Sequence, residues 1–200
     1  MPSWLHDERF AGVMEVLDAV QARRVVDLGC GAGDFLLPLA QQPFVERVTG
    51  VERAGPALAL LRQRLAALPG AAREKVTVRD ASLLDPGPIP VGQDAVVMIE
   101  VIEHLDPACL SGLERVLFRQ IAAPTVVLTT PNADLNGLLG VPPGRFRHPE
   151  HRFEWGRARF RAWAIGVAGR NGHTARFGDL GGAHPDLGGA SQMAVFRRDV

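Results

Sequence analysis

The run VVDLGCGAG at residues 25–33 joins a short apolar segment to three closely spaced glycines, and a helical pattern follows over residues 35–40. This order predicts a buried strand, a tight loop and a helix. Glycine in such a loop lets the backbone approach a ligand where a side chain would block it. A dinucleotide-binding loop has its third glycine at the sixth position, but Asp34 stands there and Gly33 comes one residue earlier. The loop therefore predicts a ligand-binding α/β domain and argues against NAD.

Strand and helix patterns alternate along most of the chain. Apolar runs predict strands over residues 25–28, 48–51, 76–78, 95–99 and 126–128. Helices are predicted over residues 7–20, 35–40, 56–68, 106–121 and 157–169, with Asp7 and Asp106 as capping residues and Gly70 just past the third helix. Residues 175–177 and 192–196 predict a final antiparallel pair. We expect a doubly wound, Rossmann-like α/β fold whose mostly parallel seven-stranded sheet has an antiparallel C-terminal strand.

Length and composition indicate a single domain over residues 1–200. A hydrophobic fraction of 46% and a charged fraction of 22% suit a globular chain. Cys30 and Cys109 are too few for a disulfide framework, and no apolar run approaches the roughly 18 residues of a membrane span. The sequence therefore predicts a cytoplasmic protein without membrane contact.

Charge is balanced over the chain and uneven within it. Twenty-two basic residues match twenty-two acidic ones, so nucleic-acid binding would need a local basic patch. Residues 131–156 form a long irregular segment, which in a small domain is more often functional than filler. Residues 145–161, which overlap its end, contain six arginines, at positions 145, 147, 152, 157, 159 and 161, and only two glutamates, at 150 and 154. Beside Phe153 and Trp155 they could bind phosphates and stack on bases, or surround aromatic side chains that belong to the core.

Two carboxylates and an imidazole follow the fourth predicted strand. Glu100, Glu103 and His104 stand where ligands of open α/β sheets bind, and a helical turn would place them on one face. Like charges so close need a cation, although a plain surface helix would also explain Glu103. His148 or His151 can complete a set of two carboxylates and two imidazoles. That set suits Mn²⁺, Fe²⁺, Co²⁺ or Zn²⁺ better than Mg²⁺.

The glycine loop resembles the first motif of the class I methyltransferases, in which it holds the amino-acid end of S-adenosylmethionine. The resemblance implies that Glu52, which ends the second strand, binds the ribose hydroxyls. It implies that Asp80 accepts from the adenine amino group and that Ala81 offers its backbone. The implied cofactor-binding residues are Asp27, Gly29, Gly31, Gly33, Glu52, Asp80 and Ala81.

A narrower resemblance covers residues 24–197. The segments EVIEHL at 100–105, TPN at 130–132 and HRFEW at 151–155, followed by Arg157, Phe160 and Trp163, resemble the Hua-enhancer family of small-RNA 3′-terminal 2′-O-methyltransferases. Glu52 stands where this family often has Asp, and Gly156 where it often has Thr. The resemblance implies that one set of residues holds the metal ion and carries catalysis, namely Glu100, Glu103, His104 and His151. Mn²⁺ is the expected ion, with Mg²⁺ or Co²⁺ as alternatives, and His148 has no fixed counterpart.

The expected activity is metal- and S-adenosylmethionine-dependent methylation of the 2′-hydroxyl of the 3′-terminal ribose of RNA, in RNA repair or end protection. A divalent ion stabilises a ribose alkoxide as a Lewis acid, and only a terminal ribose presents a free vicinal diol for chelation. The general base is left unassigned. The resemblance also suggests a polynucleotide kinase, phosphatase and ligase as partner. The alternatives are a metal-dependent O-methyltransferase of small vicinal diols, which the arginine-rich segment disfavours, and a non-catalytic RNA-binding subunit, which the complete ligand set disfavours.

Overall fold

The computed structural model describes residues 3–198. One sheet holds seven strands: β1 (Arg24–Leu28), β2 (Arg47–Glu52), β3 (Val76–Asp80), β4 (Ala95–Ile99), β5 (Thr125–Pro131), β6 (His173–Leu180) and β7 (Ser191–Arg198). The α-helices are α1 (Ser3–Ala19), α2 (Leu36–Ala40), α3 (Gly55–Ala66), α4 (Gly70–Arg73), α5 (Leu110–Arg115) and α6 (Arg157–Arg170). Shorter helical segments are the 3₁₀ turns Ile102–His104, Pro107–Cys109 and Ala133–Leu135 and the π-helical segment Val116–Ile121. Within residues 3–198, no helix is long and apolar enough to cross a membrane.

The strand order is β3-β2-β1-β4-β5-β7-β6. Strands β1 to β5 run parallel, and β7 lies antiparallel between β5 and β6. This arrangement confirms the predicted Rossmann-like sheet with its antiparallel C-terminal strand. The chain builds outward from β1 to β3 and then returns to the other side of β1, so the order of the strands switches between β1 and β4. Ligands of open α/β sheets bind outside the carboxyl ends of the strands at such a point.

Both faces of the sheet are buried. Val26 and Met98 belong to the core on one face, which α5 and α6 cover, whereas Val25 and Val97 belong to the core on the other face, which α1 and α2 cover. Successive side chains of a strand point to opposite faces, so a strand buried on both sides is a continuous apolar run. The central strands were for this reason the easiest elements to predict.

Several element boundaries differ from the prediction. Helix α1 begins at Ser3, so Asp7 lies inside the helix and does not cap it. Gly70 begins α4 and does not end α3. The helix predicted over residues 106–121 is divided into 3₁₀, α and π-helical segments, although the Asp106 carboxylate does cap it by accepting from the Ala108 N–H at 2.8 Å.

Candidate active site

Two adjoining cavities open at the carboxyl edge of β1 and β4. The first, of about 220 Å³, lies against the glycine loop, and the second, of about 360 Å³, lies against the histidines that follow β4 and β5. Three residues line both cavities: His6 and Arg9 from α1, and Glu100 after β4. The cavities therefore form one site, and α1 covers the junction between them.

The glycine loop combines a tight turn with an open wall. Gly29, Gly31 and Gly33 have φ angles of +81°, +53° and +83°, which favour glycine. A Cβ on Gly29 would lie 2.8 Å from the Val101 side chain, and one on Gly33 would lie 2.5 Å from the Leu61 side chain. A Cβ on Gly31 would meet no atom within 4 Å, and Gly31 lines the first cavity. Gly29 and Gly33 thus serve packing, whereas Gly31 keeps the cavity wall free of a side chain.

Two carboxylates lie beneath this loop. Asp27 is 3% exposed and lines the first cavity; burial, followed by the charge of Glu52, raises the pKa of Asp27 to about 7. The Glu52 carboxylate accepts from the Gly31 N–H at 3.0 Å and from the Arg53 and Ala54 N–H groups at 2.8 Å each. Glu52 therefore fixes the position of the loop.

Of the predicted cofactor-binding residues, Gly33 does not line the first cavity, and the other six fall into two groups. Asp27, Gly29 and Gly31 lie on the wall of the first cavity. Glu52 and Asp80 are register partners at the carboxyl ends of β2 and β3, beyond that wall, and the Ala81 N–H donates to the Glu52 carbonyl at 3.0 Å. The ribose and adenine contacts assigned to this second group stay predictions.

Glu100 lies at a strained position with a positive partner. Its φ is +54°, a backbone conformation that is uncommon for residues other than glycine and is concentrated at functional sites. The carboxylate forms an ion pair with Arg9 at 3.0 Å and accepts from the Thr129 hydroxyl at 3.0 Å and the Ser191 hydroxyl at 3.3 Å. Burial raises the pKa of Glu100 despite the nearby Arg9. Part of the positive charge that the clustered carboxylates need therefore comes from α1.

Glu103 has an unsatisfied carboxylate oxygen. The residue is fully buried, and its Oε2 accepts from the Thr130 hydroxyl at 3.0 Å. Its Oε1 is buried without a hydrogen-bond partner among the described residues. Burial and the adjacent Glu100 raise the pKa of Glu103 well above its usual value. A buried carboxylate oxygen of this kind is stabilised by a proton or a cation.

Three imidazoles meet on the other side of the second cavity. Ring nitrogens of His104, His148 and His151 all lie within 4.8 Å of one another. Burial, followed by the positive charges of His151 and His148, lowers the pKa of His104, which favours the neutral ring that a metal needs. His148, an alternative to His151 in the donor set that has no fixed counterpart in the family, is therefore part of the cluster.

Glu154 orients His151. The His151 Nδ1 atom lies 2.5 Å from Glu154 Oε1, so a proton on Nδ1 leaves Nε2 free to ligate. Metal-binding histidines usually have such a carboxylate on the second nitrogen. Burial alone would raise the pKa of Glu154, but hydrogen bonds from His151, Asn136 and the Arg147 N–H outweigh it and lower that pKa.

The donor set fits a divalent metal ion. Glu100, Glu103, His104 and His151 line the same cavity, and their role as metal ligands stays a prediction. The unsatisfied Glu103 Oε1 and the imidazole nitrogens supply mixed oxygen and nitrogen donors, which suit Mn²⁺, Co²⁺ or Zn²⁺. The predicted helical face is wrong, because only Ile102–His104 turns, as a 3₁₀ segment, and Glu100 lies before it.

The arginine-rich segment is partly structural. Phe153 and Trp155 are buried in the core at 6% and 5% exposure, which favours the core alternative of the two that the sequence left open. The Arg159 guanidinium lies over the Trp155 ring, 4.9 Å from its centre. Arg147 donates to the Asn136 side chain at 2.6 Å and to two backbone carbonyls, so its charge holds the irregular segment together.

Sequence reasoning missed several residues that shape the site, namely His6, Arg9, Thr129 and Ser191. Thr130 was noted only within the TPN segment, with no contact assigned to it. The only local signal for Arg9 is its place in the helix predicted over residues 7–20, beside the apolar Phe10. The hydroxyl residues carried none, since threonine and serine are ordinary in strands.

Comparison with known proteins agrees with this geometry. Residues 26–123 match a family model described as a methyltransferase domain. The chain is 32% identical to the small RNA 2′-O-methyltransferase of Xenopus tropicalis over 98% of its own length and 55% of that protein. The chain thus spans about half the length of the curated relatives it matches.

Solved structures give the same relationship. The crystal structure of small RNA methyltransferase HEN1 superposes with a TM-score of 0.88 at 26% identity, covering 98% of this chain and 25% of that one. The methyltransferase domain of bacterial CtHen1 superposes with a TM-score of 0.86 at 36% identity, covering 98% of this chain and all of that domain. Such identity over an entire solved domain, together with the close superposition, makes this chain a member of the Hen1 family of methyltransferase domains.

Proposed function

We propose that this chain transfers a methyl group from S-adenosylmethionine to the 2′-hydroxyl of the 3′-terminal ribose of RNA, with a divalent metal ion. The observation that carries the proposal is the shared wall of His6, Arg9 and Glu100 between the glycine-loop cavity and the carboxylate–imidazole cavity. A methyl donor on one side and a ribose on the other would meet across that wall. The named activity of the small RNA 2′-O-methyltransferases related to this chain supports the choice of substrate.

The glycine-loop cavity is the proposed cofactor site. Gly31 leaves its wall open, and the buried Asp27 carboxylate would face the amino group of the cofactor's amino-acid end. Glu52, Asp80 and Ala81 lie at the neighbouring strand ends, where we propose that they bind ribose and adenine. In the transfer, the carbon–sulfur bond breaks as the carbon–oxygen bond forms, and sulfur keeps the electron pair. Alignment of oxygen, carbon and sulfur is the main contribution of such a site.

The second cavity is the proposed metal and ribose site. Glu100, Glu103, His104 and His151 would hold the ion, with Mn²⁺ preferred and Mg²⁺ or Co²⁺ as alternatives. A bound divalent ion supplies Lewis-acid stabilisation to a ribose oxygen that loses its proton. Thr129 and Thr130 fix the two carboxylates, and Glu154 fixes the His151 ring.

We place the reaction in RNA repair or 3′-end protection, beside a polynucleotide kinase, phosphatase and ligase. This assignment rests on the resemblance of the chain to that branch of the family. The free thiols Cys30 and Cys109 support a reducing compartment such as the cytoplasm.

Methyl transfer from labelled S-adenosylmethionine to a short RNA tests the proposal. The RNA would end in a free diol, a 3′-phosphate or a 2′-deoxyribose, with Mn²⁺ or with chelator. We expect transfer only to the free diol and only with metal, and its loss in His151→Ala but not in His184→Ala, a histidine outside both cavities. Equal transfer to the 2′-deoxy end, or transfer only to a small vicinal diol, would contradict it.

A further inference from the structure

A third cavity opens beside the histidine cluster. It has a volume of about 630 Å³, within the usual range for ligand sites, and shares His148 and His151 with the proposed metal and ribose cavity. Its remaining wall comes from the irregular segment and includes Arg145 and Phe146. An RNA strand whose 3′ end lies in the metal and ribose cavity can therefore continue into the third cavity.

The wall has the chemistry of a single-stranded nucleic-acid site. The Phe146 side chain is 47% exposed, whereas Phe153 and Trp155 of the same region are buried. An exposed aromatic ring offers a stacking surface to any base. None of the residues lining this cavity is acidic.

Arg145 is an available cation at the same wall. Arg147, two residues later, spends its guanidinium on internal carbonyl and amide oxygens. Arg145 is exposed, and within residues 3–198 no carboxylate forms an ion pair with it. A free guanidinium beside an exposed ring matches the phosphate and base of one nucleotide.

We infer that the third cavity binds the penultimate nucleotide of the RNA, with its base on Phe146 and the phosphate that joins it to the terminal nucleotide on Arg145. The inference rests on the proposed function, because it assumes that the terminal ribose occupies the metal cavity. The inference adds a requirement to the proposed function: the substrate must have a penultimate nucleotide with a base and a phosphate, as well as a terminal diol.

The base contact is tested with an RNA that lacks only the penultimate base. For the wild-type protein, the abasic RNA should have a KM about tenfold higher than the intact RNA, with a similar kcat. Phe146→Ala should raise the KM of the intact RNA by a similar factor and abolish the difference between the two RNAs. The matched control is Leu139→Ala, because Leu139 is also 47% exposed in the same segment but does not line the cavity.

The phosphate contact is tested by salt dependence. Arg145→Gln should weaken binding of the intact RNA, measured by fluorescence anisotropy, and reduce the slope of log affinity against log salt by about one. A neutral methylphosphonate at the last linkage should produce the same change in the wild-type protein and none in Arg145→Gln. Arg62→Gln, on the exposed face of α3, should leave the slope unchanged.

The outcomes separate this inference from the proposed function. Equal KM values for intact and abasic RNA in the wild-type protein, with methyl transfer intact, would overturn the subsite alone. A Phe146→Ala variant that still distinguishes the two RNAs would also overturn it. Failure of the wild-type protein to methylate any RNA would overturn the proposed function and the subsite together.

Discussion

At the scale of single residues, the site depends on buried carboxylates beside the residues that line its cavities. Glu154 has a side chain only 1% exposed and fixes the His151 ring through one short hydrogen bond. Asp27 is held in a buried position beneath the glycine loop, where its charge is unfavourable. Both residues lead to measurable expectations.

Replacement of Glu154 by glutamine should weaken metal binding. The amide cannot hold the His151 tautomer as a carboxylate does, and loss of such a partner usually costs 10- to 100-fold in metal affinity. Isothermal titration with Mn²⁺ would measure the dissociation constant. Glu114→Gln is the control, because Glu114 binds Arg170 and Asn171 far from the cavities. Equal Mn²⁺ affinity in Glu154→Gln and the wild-type protein would contradict the assigned orientation.

Asp27 should make stability fall as the pH rises. Its pKa is about 7 in the fold, whereas the ordinary value for an aspartate is 3.8, so between these values the folded protein binds a proton that the unfolded chain lacks. The free energy of unfolding should therefore decrease from about pH 4 to about pH 7, by up to about 4 kcal/mol from this group. Asp27→Asn should flatten that part of the profile in urea titrations. Asp85→Asn, at an exposed carboxylate, should keep the wild-type slope, and an unchanged slope in Asp27→Asn would refute the assignment.

The residues of the site were predictable to different degrees. Glu100, Glu103 and His104 could be singled out from their side-chain types after β4, whereas His151 was chosen over His148 only by the family resemblance. The strained φ of Glu100 and its Arg9 partner could not, because both depend on where α1 packs.

At the scale of elements, α1 determines whether the site is closed. It supplies His6 and Arg9 to both cavities, and the Glu8 carboxylate accepts from the Gly181 and Gly182 N–H groups at 3.0 and 3.2 Å. These bonds tie α1 to the end of β6. The helix is therefore anchored by charge at the point where it covers the cavities.

Glu8→Ala should loosen this helix. Loss of the two hydrogen bonds should lower the free energy of unfolding by about 1 kcal/mol and raise amide exchange over residues 3–19. S-adenosylhomocysteine should also bind more weakly. Glu15→Ala, on the exposed face of the same helix, controls for the change in helix composition. Unchanged exchange in Glu8→Ala would show that packing alone holds α1.

The strands were predicted in the right places from local pattern, but the length of β5 was not predicted. The apolar runs of β1 and β4 mark strands buried on both faces. Strand β5 extends past its apolar run through Thr129, Thr130 and Pro131, because these residues pair with β7. No local signal in the sequence carries that pairing, yet it places both threonines against the site carboxylates.

At the scale of the whole molecule, the cofactor site joins distant parts of the chain. Its wall draws on α1, the loop after β1 and the end of β4. A ligand that binds there stabilises only the folded chain.

S-adenosylhomocysteine should therefore raise the melting temperature. At a concentration 100 times the dissociation constant, the gain is about 2.7 kcal/mol, or about 5–10 °C for a chain of this size. Differential scanning fluorimetry would measure the shift, with adenosine at equal concentration as the control. An absence of any shift at saturating ligand would contradict the assigned cofactor site.

The Arg9–Glu100 ion pair lies on the wall of both cavities, so the two sites share one energetic element. If Arg9 moves toward a bound cofactor, its ion pair with Glu100 weakens. The negative charge of Glu100 is then less neutralised in the metal and ribose cavity. We therefore expect binding at the two cavities to be cooperative, and linkage requires the effect to be reciprocal. The factor by which S-adenosylhomocysteine changes Mn²⁺ affinity must equal the factor by which Mn²⁺ changes S-adenosylhomocysteine affinity, and Arg9→Met should bring both factors toward one. Through this ion pair, occupancy of the cofactor cavity would change the affinity of the neighbouring cavity for its metal ion and so for the ribose.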